Sequence, residues 1–258
     1  MNPERRPLHA RALPEVDWVA SAGGVLLDRA ADDLARYQVY RYCSIAEALQ
    51  LLTRREWAFA HPRTWPDKYE SHVSERLFAP GGPFAGVSVH VKCLSFEFGS
   101  NALWRTYAGT AGVVRLGYPL QDLVAAFAAA APPHPSKLFV ARTRYLDERP
   151  LRRAVDALAK APPKSVAREA MRALTLKRSG FAYENELRLC LLGRPRAAPA
   201  PVVVLRDLRI ERLRSIQLDP YLPSWQAEEL RRMFLPLVGK DTEVRQSGFD
   251  AAPDAANP

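Results

Sequence analysis

The chain has 258 residues and carries 37 Lys and Arg against 28 Asp and Glu, a net charge of +9. That length can bury a substantial core, no run approaches the roughly 20 apolar residues of a membrane span, and the first residues lack the apolar stretch of a secretory signal. The expectation is a cytoplasmic protein with no membrane partner. The excess charge, mostly arginine, favours an acidic partner such as a nucleic acid, a nucleotide or an acidic protein, although a compositional bias toward Ala, Pro and Arg accounts for it equally well. Cys43, Cys93 and Cys190 are far apart and make neither a Cys-x-x-Cys pair nor a zinc spacing with the five histidines. They read as small core residues, and no metal site is expected.

Residues 1–36 read as an extension, with Val25–Tyr37 at helical spacing. The main domain spans 37–249. It opens with a strand at 38–43 and a helix at 45–53, for which Ser44 is the N-cap and Glu47 the third residue of a capping box. Glu56–Ala60 is a second strand. It runs into the loop HPRTWPDKYES, whose Asp67 and Glu70 suit a helix cap better than a cation or a ribose. Val87–Phe96 alternates as a strand with one buried face, and His90 is expected to be half-exposed on it. Further elements are a helix at 101–107, a strand at 113–116, an alanine-rich helix at 119–131 and a strand at 139–145. Two amphipathic helices follow around Pro162 and Pro163. A buried strand at 202–205, a strand at 210–218, a helix near 222–238 and a last strand complete the domain. Residues 250–258 read as a disordered tail. Strands outnumber strict βαβ units, so the fold class is α+β: a single domain with a mixed, largely antiparallel sheet and surrounding helices.

The most informative stretch is KRSGFAYENELRLCLL at 177–192. Leu187, Leu189 and Leu191 fall on one face of a strand, while Glu184, Glu186, Arg188 and Cys190 fall on the other. Two carboxylates roughly 6.6 to 7 Å apart along the strand, approached through Phe181 and Tyr183, fit the wall of a cleft. They fit an ion-pair network with Lys177 and Arg188 as well. Walker-type lysine loops, G-x-G-x-x-G, G-x-S-x-G and His-Glu-x-x-His are all missing from the sequence. P-loop NTPases, Rossmann oxidoreductases, α/β-hydrolases and zinc proteases are therefore disfavoured.

Read together, the spaced features resemble an uncharacterised bacterial family, a domain of unknown function. The matching residues are Arg41-Tyr42, WAFAHPRTWPDKYE at 57–70 and Cys93-Leu94-Ser95. Trp104, Tyr107, Ala108 and Gly112 follow, then Lys177, Phe181, Tyr183, Glu184, Glu186 and Arg188. The loop departs from the family, reading Pro-Asp-Lys-Tyr-Glu where Asn-Asp-Pro-Phe-Glu is common, and Phe181 stands where tryptophan often does.

The residue order is also similar to that of ADP-ribosyltransferases, an analogy of pattern. It implies NAD as the substrate. Glu186 would be the catalytic carboxylate that stabilises positive charge at the ribose carbon, and Glu184 would orient or deprotonate the acceptor, a nucleic acid or a protein. Arg41 would clamp the pyrophosphate, Ser95 would support the site, and Tyr107 or Tyr183 would stack on nicotinamide. The paired carboxylates would push one pKa upward unless Arg188 offsets them. A toxin or phage-defence role goes with that chemistry. Three readings stand beside it: a non-catalytic nucleotide- or nucleic-acid-binding module, a metal-dependent nuclease built on Asp67, Glu70, Glu184 and Glu186, and the purely structural ion-pair network.

Overall fold

The computed structural model describes residues 18–20, 25–28, 36–108, 112–130, 137–160, 166–193, 200–209 and 213–248. In chain order these form β1 (Trp18–Ala20), β2 (Leu26–Asp28), β3 (Gln38–Ser44), α1 (Ile45–Arg54), β4 (Trp57–Ala60), α2 (Lys68–Phe78) and β5 (Ser88–Ser95). Next come α3 (Asn101–Ala108), β6 (Val113–Pro119), α4 (Leu120–Ala130), β7 (Lys137–Arg142), β8 (Arg144–Leu146), α5 (Glu148–Lys160) and α6 (Val166–Leu174). The last are β9 (Leu176–Arg178), β10 (Glu186–Gly193), β11 (Val202–Leu205), β12 (Ser215–Leu218), α7 (Ser224–Phe234) and β13 (Glu243–Gln246). Strand pairing is mixed and mostly antiparallel, with helices around it, so the fold is α+β as expected. No helix among the described residues is long and apolar enough to cross a membrane.

The described residues form two compact units, each drawn from three stretches of chain. The first takes them from 1–32, 58–93 and 131–204. In it β1 pairs antiparallel with β2, β2 parallel with β7, and β7 antiparallel with β10. β10 neighbours β5, β5 pairs antiparallel with β4, and β11 pairs with β4. Its core joins Val89, Val91, Phe139 and Cys190 of the strands to Leu77 of α2, Leu151, Val155 and Leu158 of α5, and Met171 and Leu174 of α6. The spacing of the α5 residues is the one that puts an apolar stripe on one side of a helix.

The second unit takes the described residues from 33–57, 94–130 and 205–258. β3 pairs antiparallel with β6 along its whole length, from Gln38 opposite Pro119 to Ser44 opposite Val113. β6 pairs antiparallel with β12, and β12 parallel with β13. The last residue of β5, Ser95, lies opposite Tyr40.

The helix starts were legible. Ser44 Oγ accepts the Glu47 N–H at 3.2 Å, and Asp67 accepts the Tyr69 N–H at 2.8 Å. Each satisfies one of the orphan donors of a first turn. Four expectations are corrected. Leu26–Asp28, placed in a helix over Val25–Tyr37, is a strand, with Leu26 opposite Phe139; a short apolar run does not distinguish the two periods. Residues 29–35 lie outside the described residues, as does the tail at 250–258. The strand expected at 139–145 breaks at Thr143, whose N–H bonds to Glu186 while that of Arg144 turns to Thr175. His90 is buried and bonded through Nε2 to the Ala200 carbonyl oxygen at 2.8 Å. Val202 and Val204 are exposed rather than buried.

Candidate functional site

In the first unit the two predicted carboxylates belong to a buried charge cluster. Asn185 adopts a left-handed φ of 41° and closes a 3-10 turn over Ser179–Glu184, so Glu184 is not on the strand with Glu186 as expected. The turn still delivers both side chains to Lys177 on β9. Lys177 Nζ donates to Glu184 at 2.5 Å and to Glu186 at 3.4 Å, and lies 3.5 Å from Glu70. Arg188 donates to Glu70 at 2.5 Å, to Glu186 at 2.8 and 3.2 Å, and to the Leu174 carbonyl oxygen. The Thr143 hydroxyl adds a bond to Glu186 at 3.2 Å. Trp65 lies against the Arg188 guanidinium at 4.6 Å and Phe181 against Lys177 at 5.1 Å.

Three carboxylates face two cations here, and their protonation follows. Burial pushes Glu186 up, but Arg188 and then Lys177 outweigh it and hold its pKa at about 2. Burial is the larger influence on Glu184, which is raised in spite of Lys177. The repulsion among the carboxylates therefore falls on Glu184, which takes up a proton more readily than a free glutamate. Lys177 and Arg188 are raised although burial alone would lower them, because Glu186 and Glu70 surround them. Burial raises Cys93 well above an ordinary thiol, and Glu186 adds to it, so Cys93 is a neutral neighbour.

This geometry leaves Glu186 little to offer a substrate. Its side chain is 4% exposed and that of Arg188 1%. A void of about 10 Å³ beside Trp65, Glu70 and Arg188 has room for no more than a water molecule. Asp67 Oδ1 caps α2 and pairs with Arg178 at 2.9 Å, while its Oδ2 is buried without a partner among the described residues. Among the described residues no group of three or more His, Cys, Asp or Glu side chains stands together to hold a metal ion. Tyr183 is 40% exposed and lies beside Phe181, with ring centroids 6.4 Å apart.

Arg41, Ser95 and Tyr107 belong to the second unit. The Arg41 fork is filled by the Glu47 carboxylate, with both bonds at 3.0 Å, and Trp57 Nε1–H donates to the same carboxylate at 3.2 Å. Glu47, whose N–H is capped by Ser44, thus serves as the partner of Arg41. Ser95 Oγ accepts the Glu97 N–H at 2.9 Å and shapes the turn that leaves β5. Tyr107 stacks on Tyr42 at 6.4 Å.

Two other motif residues, Tyr42 and Trp104, flank one that the sequence reading passed over. Arg115 on β6 is fully buried, and none of its three guanidinium nitrogens has a hydrogen-bond partner among the described residues. Its charge lies among four aromatic rings: Phe98 at 4.0 Å, Tyr40 at 5.0 Å, and Tyr42 and Trp104 at 5.9 Å. The indole Nε1–H of Trp104 is buried without a partner too. Gly117 makes the approach possible, since a Cβ there would stand 3.3 Å from the Tyr40 ring and 2.6 Å from Ser215 Oγ. The cage therefore holds buried donors that no acceptor among the described residues satisfies. One signal was available: Arg115 is the only charged residue in the apolar strand Val113–Pro119. A charge in such a run marks either a buried pair or a ligand. Comparison of the chain with protein-family models, with curated proteins and with solved structures finds no match.

Proposed function

We propose that the chain is a binding module for a small anionic ligand of the nucleotide class, seated on Arg115 and Trp104. The observation that supports this is the pair of buried, unpartnered donors in an aromatic cage. Cation–π contacts recover part of the cost of burying a guanidinium. They do not satisfy its N–H groups, and a buried charge without an acceptor costs several kcal/mol. A phosphate or pyrophosphate oxygen is the acceptor that a guanidinium fork matches best. The rings of Tyr40 and Phe98 are platforms on which a base can stack. Phe98 is 60% exposed and lies in the loop before α3, next to Gly99 at φ 74°. Displacing this ring opens the cage.

NAD belongs to the ligand class, and NAD cleavage is the second reading. It is favoured by one observation, the pKa of about 2 that keeps Glu186 a carboxylate. The ion pairs already made by Glu186 and Arg41 weigh against it. In that reading a nucleic acid or a protein is the acceptor, and the toxin or phage-defence role follows.

The test is calorimetric titration of the purified chain with ADP, NAD and tripolyphosphate at two salt concentrations, with nicotinamide release assayed in the NAD samples. Saturable binding that weakens with salt and falls about 100-fold in Arg115→Met is expected. Nicotinamide release that Glu186→Gln lacks would instead establish the enzyme. Absence of saturable binding to all three, or binding unchanged in Arg115→Met, would overturn the module.

A further inference from the structure

A second site lies in the same unit. Arg115 and Tyr118 are three residues apart on β6, so their side chains leave opposite faces of the strand. On the Tyr118 side is a pocket of about 270 Å³, just below the roughly 300 Å³ at which small-molecule sites begin. Leu52 of α1 and Leu208, Leu213 and Leu237 make its walls apolar, and Arg55, Arg209 and Tyr118 are its polar residues.

Three observations concern those polar residues. Tyr118 is fully buried, and its hydroxyl has no hydrogen-bond partner among the described residues. Burial holds it as the neutral phenol, a donor. Arg55 and Arg209 are both exposed and form no ion pair among the described residues. The neighbouring acid, Glu56, is taken by Arg206 at 3.4 Å and by Gln50 at 3.3 Å, so it does not neutralise Arg55. Finally, two left-handed residues frame the pocket. Arg55 has φ 54° and Asp207 φ 57°, and the Leu208 N–H bonds to the Arg55 carbonyl oxygen at 3.0 Å. The left-handed Arg55 is the C-cap of α1, its N–H bonded to the Leu51 carbonyl oxygen at 3.0 Å.

We infer that this pocket binds a small amphipathic carboxylate, its tail against the leucines and its head toward Arg55 and Arg209. The arginines select the charge, and the apolar walls require a tail. The inference does not depend on the Arg115 site, which faces the other way.

Octanoate is the probe, titrated calorimetrically, with octanol and acetate as controls for the tail and the head alone. Octanoate should bind saturably, and each control at least about tenfold more weakly. Arg55→Gly removes one cation and places the residue best suited to a positive φ, so the variant stays folded. It should weaken octanoate about tenfold and leave octanol unchanged. Leu52→Trp should abolish binding by filling the space. The inference falls if the folded chain shows no saturable octanoate binding, if octanol binds as well as octanoate, or if neither variant changes the affinity.

Discussion

In Arg115→Met the ligand-free protein is expected to be more stable than the parent, by about 1–4 kcal/mol, while anion binding is lost. Methionine has a comparable length and no charge to leave unsolvated. It can keep contact with the rings of Tyr40, Tyr42, Phe98 and Trp104 that now surround the guanidinium. An arginine that costs stability in the free protein is one kept for its ligand. Urea denaturation of the two proteins, with and without tripolyphosphate, reads both halves of the prediction. A variant less stable than the parent without ligand would mean that the guanidinium holds the aromatic cluster together, and the binding site would then lose its main support.

Arg188→Met is expected to act in the opposite direction, destabilising by about 3–5 kcal/mol. Arg188 is the partner of Glu70 and Glu186 and the donor to Leu174. Its removal leaves Glu70, Glu184 and Glu186 with Lys177 alone. The pH dependence distinguishes this cluster from surface charges. Glu186 is depressed from 4.5 to about 2 by its cations. Its stabilising contribution is therefore complete above pH 4.5 and is lost as the pH falls toward 2. Glu184 is raised, so its contribution has the opposite sign. It is greatest at low pH and is lost as the pH rises through its folded value. Stability of the parent measured by urea denaturation between pH 7 and pH 2 should therefore fall in the window set by Glu186. In Arg188→Met that slope should flatten, because the main cation holding Glu186 down is gone. An unchanged slope would show that Glu186 owes its ionisation to Lys177.

The two expectations concern residues that read very differently in the sequence. Glu184, Glu186 and Arg188 stood out because they alternate in the sequence with Lys177 close by. The sequence could not say whether that polar face met solvent, a cleft or the protein interior. Glu70 decided it: this side chain from α2, 118 residues away in the chain, bonds to Arg188 and buries the face. Such long-range pairing leaves no local periodicity. Arg41 posed the same question, and Glu47, one turn into the next helix, answers it by filling the guanidinium fork. Arg115 is the reverse case. Its significance lies in the partners it lacks, and a missing partner becomes visible only when every neighbour is in place.

What the sequence determined by itself is local. Alternation set most strands, Ser44 and Asp67 set the starts of α1 and α2, and the balance of strands and helices set the α+β class. These follow from backbone geometry and nearest neighbours along the chain. Tertiary structure decided the partners of the charged residues. A carboxylate or a guanidinium is catalytic, structural or ligand-binding according to which opposite charges and donors reach it once water is removed. In this protein that solvent exclusion closes the ion pairs around Glu186 and leaves Arg115 open.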